Sequence, residues 1–461
     1  MKVLSVASEC APLVKTGGLA DVVGALPAAL LKHGVEMRTL LPGYPAVVKV
    51  GSGSRGKWKV HKRSFALFGG KARILEGCAG GLDLFVLDAP HLFDRGGGPY
   101  QDASGRDHED NAIRFAALSR AGQLIAGSWG ADVLHAHDWQ AGLAPLYVRE
   151  TGLACATIMT IHNIAFGGMA PKAMREELGL PAAGMNREGF EFWDQISTLK
   201  AGMVWADRVT TVSPTYAREL RRAEFGFGLD GVVRARGADF SGILNGIDTE
   251  AWPGIALADK PAAKAALVKE LGLPDTDGPL AVVVTRMTHQ KGLDILLDAL
   301  PAWTDRGGRL ALLGSGDPSL ENGWRIRAEH PNVSVTIGYD EGLARRMIAG
   351  GDLILVPSRF EPCGLTQMYG LRYGTLPLVA LTGGLADTVI PTTPAARQAG
   401  ASTGLQFTPV EADPLAQSLL EALDLWTRPD DWRAMQRNGQ RQDVGWSTSA
   451  AAYADLYRSI A

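Results

Sequence analysis

The chain has 461 residues, with 46 Lys and Arg against 49 Asp and Glu and a formal net charge of −3. That is too long for one ordinary domain, and it lacks the basic excess that nucleic acid or an anionic membrane surface requires. Its 46% hydrophobic content suits a globular chain with sizeable cores, no uncharged apolar run reaches membrane-spanning length, and four cysteines without metal-finger or CxxC spacing point to a reducing, cytoplasmic setting.

The run Val3–Ala7 predicts a first buried strand rather than a secretion signal, because Glu9 breaks the apolar stretch and Lys15 ends it. After it comes Lys15-Thr16-Gly17-Gly18, and then a helix over Asp21–His33. Glycines at a helix start let a ligand approach the backbone, and the free N–H groups there favour negative charge. It is not the GxGxxG pattern, so no nicotinamide cofactor is implied. Arg38–Leu41, Leu84–Leu87, Val133–Ala136, Thr157–Ile161 and Arg208–Val212 predict further strands, with helices over Asn111–Ala126 and Gly142–Glu150 and a mobile basic loop over 50–57. Such alternation predicts a mostly parallel sheet covered by helices.

Two motifs end strands in this half. In His135-Ala136-His137-Asp138-Trp139, Asp138 suits hydrogen bonding to sugar hydroxyls. His135 suits a buried structural role, and alternate histidines leave a metal reading open. In Thr160-Ile161-His162-Asn163, His162 is placed to point toward the same ligand as Asp138.

The pattern restarts after residue 245, past turn residues Asn245-Gly246-Ile247-Asp248 and Trp252-Pro253-Gly254. Strands are expected over Leu280–Val284, Arg309–Leu313, Val333–Gly338, Leu353–Pro357 and Pro377–Leu381, with a helix over Gly292–Leu300. An exposed loop is expected over 391–403 and a last helix near Ala450–Ile460. Arg286 and Lys291 flank a strand-to-helix turn and are read as converging on one diphosphate, Arg as a fork and Lys as a point charge. Ser358-Arg359-Phe360-Glu361-Pro362-Cys363-Gly364-Leu365-Thr366-Gln367 follows another strand. There Glu361 is read as meeting a sugar ring, or as capping the helix, while N–H groups at Gly364–Thr366 hold phosphate. Thr16–Asp21 recurs letter for letter as Thr382–Asp387, which suggests two similar doubly wound domains with Gly-Gly turns in corresponding places.

Taken together, KTGGLADV, HAHDWQAG, TIHNIAFGG, VSPTYAREL, LNGID, TRMTHQKGLD and SRFEPCGLTQMYGLRYGT closely resemble bacterial glycogen synthases and plant starch synthases, from residue 15 to about 388. The resemblance implies a GT-B fold of two Rossmann-like domains facing a cleft. These would be residues 1–245 on the acceptor and glucose side and 246–440 for the donor, with 441–461 packing back on the first domain. It implies transfer of glucose from ADP-glucose to the non-reducing end of an α-1,4-glucan with retention, using no cofactor and no metal. Glu361, His162, Asp138, Arg286 and Lys291 match the catalytic positions. Lys15, Gly17, Gly18, Asn163, Asn245, Tyr339 and the run Cys363, Gly364, Leu365 and Thr366 match donor-binding ones, Tyr339 being the residue stacked on the base. Tyr369 stands where wider retaining relatives carry a second glutamate, as it does in this family, and Phe166-Gly167-Gly168 lacks a common glutamine, which leaves detail of the acceptor side open. A UDP-glucose preference and a non-catalytic glucan-binding protein are the alternatives. Expected partners are the nucleotide sugar and the glucan, with neither nucleic acid nor membrane; no oligomeric state is implied.

Overall fold

Alternate residues of each parallel strand face opposite sides of its sheet, and both sides are buried, so these strands read as nearly continuous apolar runs. The computed structural model describes residues 1–51 and 58–461, so the basic loop expected over 50–57 lies outside the described residues from position 52 on. The chain divides into two compact units, Met1–Asn245 with Trp446–Ala461, and Gly246–Gly445.

The first unit contains, among the described residues, β1 (Lys2–Val6), β2 (Glu36–Pro42), β3 (Lys59–Leu67), β4 (Gly70–Ala79), β5 (Leu82–Asp88), β6 (Val133–His137), β7 (Ala156–Ile161), β8 (Met169–Pro171), β9 (Glu191–Phe192), β10 (Gln195–Ser197), β11 (Arg208–Thr211) and β12 (Phe240–Gly242). Nine of them form one sheet in the order β12-β11-β7-β6-β1-β2-β5-β4-β3, while β8, β10 and β9 make a small antiparallel sheet. All neighbours in the large sheet pair in parallel except β5-β4 and β4-β3. The order reverses between β1 and β6, the topological switch point where open α/β sheets bind ligands.

The C-terminal helix Ser447–Arg458 packs in this unit. Ala450, Tyr453, Ala454 and Tyr457 are buried with Val22, Leu26 and Leu30 of helix Gly18–Leu31 and with Val3 and Val133.

The second unit is built on β13 (Leu280–Val284), β14 (Arg309–Gly314), β15 (Val333–Ile337), β16 (Leu353–Val356), β17 (Leu376–Ala380) and β18 (Leu405–Phe407), all parallel, in the order β15-β14-β13-β16-β17-β18. Ala281, Val283, Leu310 and Leu312 pack on one face with Trp303, Trp324 and Leu415. Leu280, Val282, Ala311 and Leu313 pack on the other with Leu267, Leu343 and Met347. The switch point here lies between β13 and β16.

Three readings from sequence are amended. The segment 391–403 is not all loop, since Pro394–Gln398 forms a short helix whose N-cap Thr393 accepts from the Ala396 N–H. The antiparallel pair β3 and β4 was not expected. β3 is largely exposed and carries Lys59, Lys62 and Arg63, so it offers no apolar run to detect. The repeated hexapeptide does not occupy corresponding places. The first copy follows β1, the central strand at the switch point, whereas the second follows β17, two strands from β13. A Cβ on Gly17 would meet nothing within 4 Å, but on Gly383 it would lie 1.9 Å from Glu361 O and on Gly384 2.3 Å from Cys363 O. The same letters therefore leave the backbone open in one unit and admit a neighbouring loop in the other.

Candidate active site

In the first unit the side chains gather at the C-terminal ends of β1, β6 and β7. The loop after β1 carries Glu9, which is 2% exposed and accepts hydrogen bonds from the Thr16 N–H, from Thr16 Oγ1 at 2.6 Å and from the Tyr100 hydroxyl. This carboxylate holds the Gly-rich turn in place. Lys15 is half-exposed and ion-paired to Asp21 at 2.7 Å, so its charge stands at the mouth of the turn. Gly17 is the N-cap of helix Gly18–Leu31, and no side chain among the described residues caps that end.

Asp138 follows β6 with φ +54, a left-handed backbone that disfavours any residue with a Cβ. Its Oδ1 accepts from the His162 N–H at 2.6 Å and the Asn163 N–H at 3.3 Å, which joins the loops after β6 and β7. Burial pushes its carboxyl up to about 7 against the lowering effect of these two bonds, and the Glu9 charge adds to the rise. The Asn163 side chain accepts from the Ala165 N–H and shapes the same loop.

His162 Nε2 lies 3.0 Å from His137 Nδ1, and burial depresses the His162 imidazole to about 3. His135 is satisfied on both nitrogens, Nδ1 with the Tyr457 hydroxyl at 2.8 Å and Nε2 with Thr160 Oγ1 at 2.6 Å, which is the structural role expected of it. Among the described residues no group of three or more His, Cys, Asp or Glu is placed to hold a metal ion. Asn245, at the end of this unit, is buried with its Oδ1 unpartnered among the described residues.

In the second unit the corresponding groups follow β13, β15 and β16. Arg286 is exposed, and its guanidinium makes no hydrogen bond or ion pair with the described residues. Lys291 does not stand free beside it. Its Nζ lies 2.6 Å from Glu361 Oε2, and both side chains are largely buried. Ser358 Oγ donates to the same oxygen at 2.8 Å. Glu361 is thus engaged by two side chains rather than capping helix Thr366–Tyr373, whose first turn has no side-chain cap.

The loop before that helix is over-determined. Arg359 forks onto Asp294 at 2.8 and 2.6 Å, and Gln290 Nε2 donates to Phe360 O. Gln367 Nε2 donates to the carbonyls of Cys363 and Gly364. Gly364 has φ +72, and a Cβ there would lie 2.6 Å from Gln367 Oε1 and 3.1 Å from Glu361 Cγ, so only glycine fits. Cys363 is buried, Leu365 is the residue preceding the helix and Thr366 opens it. Tyr339 follows β15 and is 81% exposed, a free aromatic face beside the same sheet edge.

Within each unit the structure brings together what the sequence singled out: Asp138 with His162 and Asn163, and Lys291 with Glu361. Sequence reasoning missed Glu9, Tyr100, Ser358, Gln367 and the Arg359–Asp294 fork. Tyr100 and the Arg359–Asp294 fork act on residues reached only through the fold, whereas Ser358 and Gln367 act within their own motif, where spacing alone does not reveal which atoms meet.

A family model described as starch synthase catalytic domain matches residues 2–235, and one described as glycosyl transferases group 1 matches residues 278–424. The catalytic domain of starch synthase IV from Arabidopsis thaliana, solved bound to ADP and acarbose, superimposes with a TM-score of 0.85 at 29% identity, covering 99% of this chain and 98% of that one. A sucrose-phosphate synthase from Thermosynechococcus elongatus shares the fold, with a TM-score of 0.64 at 20% identity over 99% of this chain and 98% of its own. Two Rossmann-like units with these matches define a glycosyltransferase of the GT-B class. Glycogen synthases of Paracoccus denitrificans and Jannaschia sp. are 58% and 53% identical, each covering 100% of this chain and 99% of the relative. The chain belongs to the glycogen synthase family.

Proposed function

We propose that the chain transfers glucose from ADP-glucose to the non-reducing end of an α-1,4-glucan with retention at the anomeric carbon. The observation that carries this reading is the Lys291–Glu361 pair at the β13/β16 switch point, with Arg286 unpartnered among the described residues. ADP bound to the starch synthase relative supports the choice of base, and acarbose on that protein supports a glucan acceptor. The four free cysteines suit a reducing compartment, so the enzyme is assigned to the cytoplasm. Among the described residues no helix is long and apolar enough to cross a membrane.

In the proposed step the bond from the anomeric carbon to the phosphate oxygen breaks, and both electrons leave with ADP. The acceptor hydroxyl oxygen bonds to that carbon on the same face, and its proton passes to the departing phosphate. Arg286, Lys291 and the uncapped N–H groups of helix Thr366–Tyr373 stabilise the growing negative charge. A unit charge pair at 4 Å and an effective dielectric near 20 is worth about 4 kcal/mol. That is enough for one cation to change the rate by about a thousandfold if the contact tightens in the transition state. Glu361 holds glucose hydroxyls while Lys291 and Ser358 fix its carboxylate. Asp138 and His162 orient the sugar, and Tyr339 offers its face to the base.

Incubation with glycogen and radiolabelled ADP-glucose or UDP-glucose tests the reading. Label entering glycogen faster from ADP-glucose, in linkages released as maltose by β-amylase, is expected. No incorporation from either donor overturns it, and faster incorporation from UDP-glucose overturns the donor assignment.

A further inference from the structure

His137 lies between two histidines. Its ring is fully buried, 4.1 Å from that of His135 and 5.2 Å from that of His162 between centroids. His135 is held on both nitrogens by Tyr457 and Thr160, so the ring beside His137, tilted 33° to it, is anchored. Burial depresses the imidazoles of His137 and His162, and the neighbouring His135 and His162 further disfavour charge on His137, so both are neutral near pH 7.

Two neutral rings that share one hydrogen bond contain one donor and one acceptor. At the 3.0 Å contact between His137 Nδ1 and His162 Nε2 there are therefore two arrangements. If His162 donates from Nε2, the His137 proton must sit on its own Nε2. That atom is sealed from solvent and has no partner among the described residues. If His137 donates from Nδ1, its Nε2 is a bare lone pair. Orphaned buried N–H groups are rarer than under-satisfied acceptors, and the second arrangement avoids one. His162 then carries its proton on Nδ1, which has no hydrogen-bond partner among the described residues and is not sealed off as His137 Nε2 is.

We infer that His137 is a positioning residue that locks His162 in its Nδ1–H tautomer, so that His162 presents a donor to an oxygen of the sugar it orients. The sugar half of this inference rests on the proposed function, whereas the tautomer half does not.

Long-range proton–nitrogen NMR on the 15N-histidine-labelled enzyme reads the tautomers directly. The expected result is a protonated Nδ1 on His162 in the wild type and in His137→Asn, whose amide N–H can take the place of the ring Nδ1–H. Mixed tautomers are expected in His137→Leu. With ADP-glucose, kcat/KM is expected to fall about tenfold in His137→Leu and to stay within about threefold in His137→Asn. A protonated Nε2 on wild-type His162 overturns the proposal without need of any variant. So does an unchanged tautomer or an unchanged kcat/KM in a folded His137→Leu. If the chain proves not to transfer glucose, the tautomer measurement still stands, so the two failures are distinguishable.

Discussion

Lys291 Nζ and Glu361 Oε2 meet at 2.6 Å although 70 residues separate them, because one follows β13 and the other follows β16, adjacent strands at the switch point. The contact is largely buried, with side-chain exposures of 17% and 8%. Neither charge is therefore an ordinary surface charge. Removal of the ammonium leaves the carboxylate in a poorly solvated place with Ser358 as its remaining side-chain donor.

Lys291→Ala is therefore expected to destabilise the protein by about 3 kcal/mol, the usual cost of stranding one member of a buried pair. The double variant Lys291→Ala/Glu361→Ala should lose less than the two singles added together. Urea denaturation of the four proteins measures this, and additive losses would refute the coupling.

Arg286 should behave in the opposite way. It is exposed and unpaired among the described residues, so Arg286→Ala is expected to leave stability within about 0.5 kcal/mol of wild type. Transfer from ADP-glucose should fall by a hundredfold to a thousandfold, on the order of one charge contact at the leaving diphosphate. Arg286→Lys should recover only part of the loss, because an ammonium cannot fork onto two oxygens. Thermal melting and initial rates on the same samples separate the two effects.

The two copies of the Gly-Gly turn give a contrast. Gly17 has an extended backbone and empty space where a Cβ would stand, so Gly17→Ala should fold with stability equal to wild type or about 0.5 kcal/mol higher. Its activity should fall, because the methyl group fills the space that a phosphate approaching the helix start would use. Gly383 has φ +44 and a Cβ position 1.9 Å from Glu361 O. Gly383→Ala should cost more than about 2 kcal/mol and displace the Glu361 loop. Equal stability of the two variants would show that the copies are not used differently.

Between acid and neutral pH two sets of buried groups should tilt stability in opposite directions. The His135 and His162 imidazoles are lowered to about 3 by burial, so the unfolded chain binds protons first as pH falls. Their contribution is complete above about pH 6.5 and is lost progressively as pH drops toward 3. The Asp138 carboxyl is raised to about 7, chiefly by burial, so its contribution is complete below about pH 4 and is lost progressively between about pH 4 and 7. Asp138→Asn should therefore steepen the rise in melting temperature between about pH 4 and 7 and leave its course above about pH 8 unchanged. An unchanged slope between about pH 4 and 7 in that variant would contradict the assignment to Asp138.

Much of this architecture is legible in one dimension because parallel strands buried on both faces leave unbroken apolar runs. Leu280–Val284 reads as a strand for the same reason that it lies between two cores, with Ala281 and Val283 on one side and Leu280 and Val282 on the other. β3 is hidden because its largely exposed face asks nothing of its composition. The repeated hexapeptide misled about equivalence because glycines serve open and crowded backbones alike.

By itself the sequence determined the strand-helix alternation, and it singled out Asp138, His162, Arg286, Lys291 and Glu361 at the ends of strands as candidates. Only the tertiary structure decided what each of them meets. It pairs Lys291 with Glu361 and leaves Arg286 unpaired among the described residues, ties Asp138 to the His162 N–H, and sets His137 behind His162. Hydrogen bonds and ion pairs reach about 3 Å, so which groups share one depends on strand order and loop path rather than on spacing along the chain.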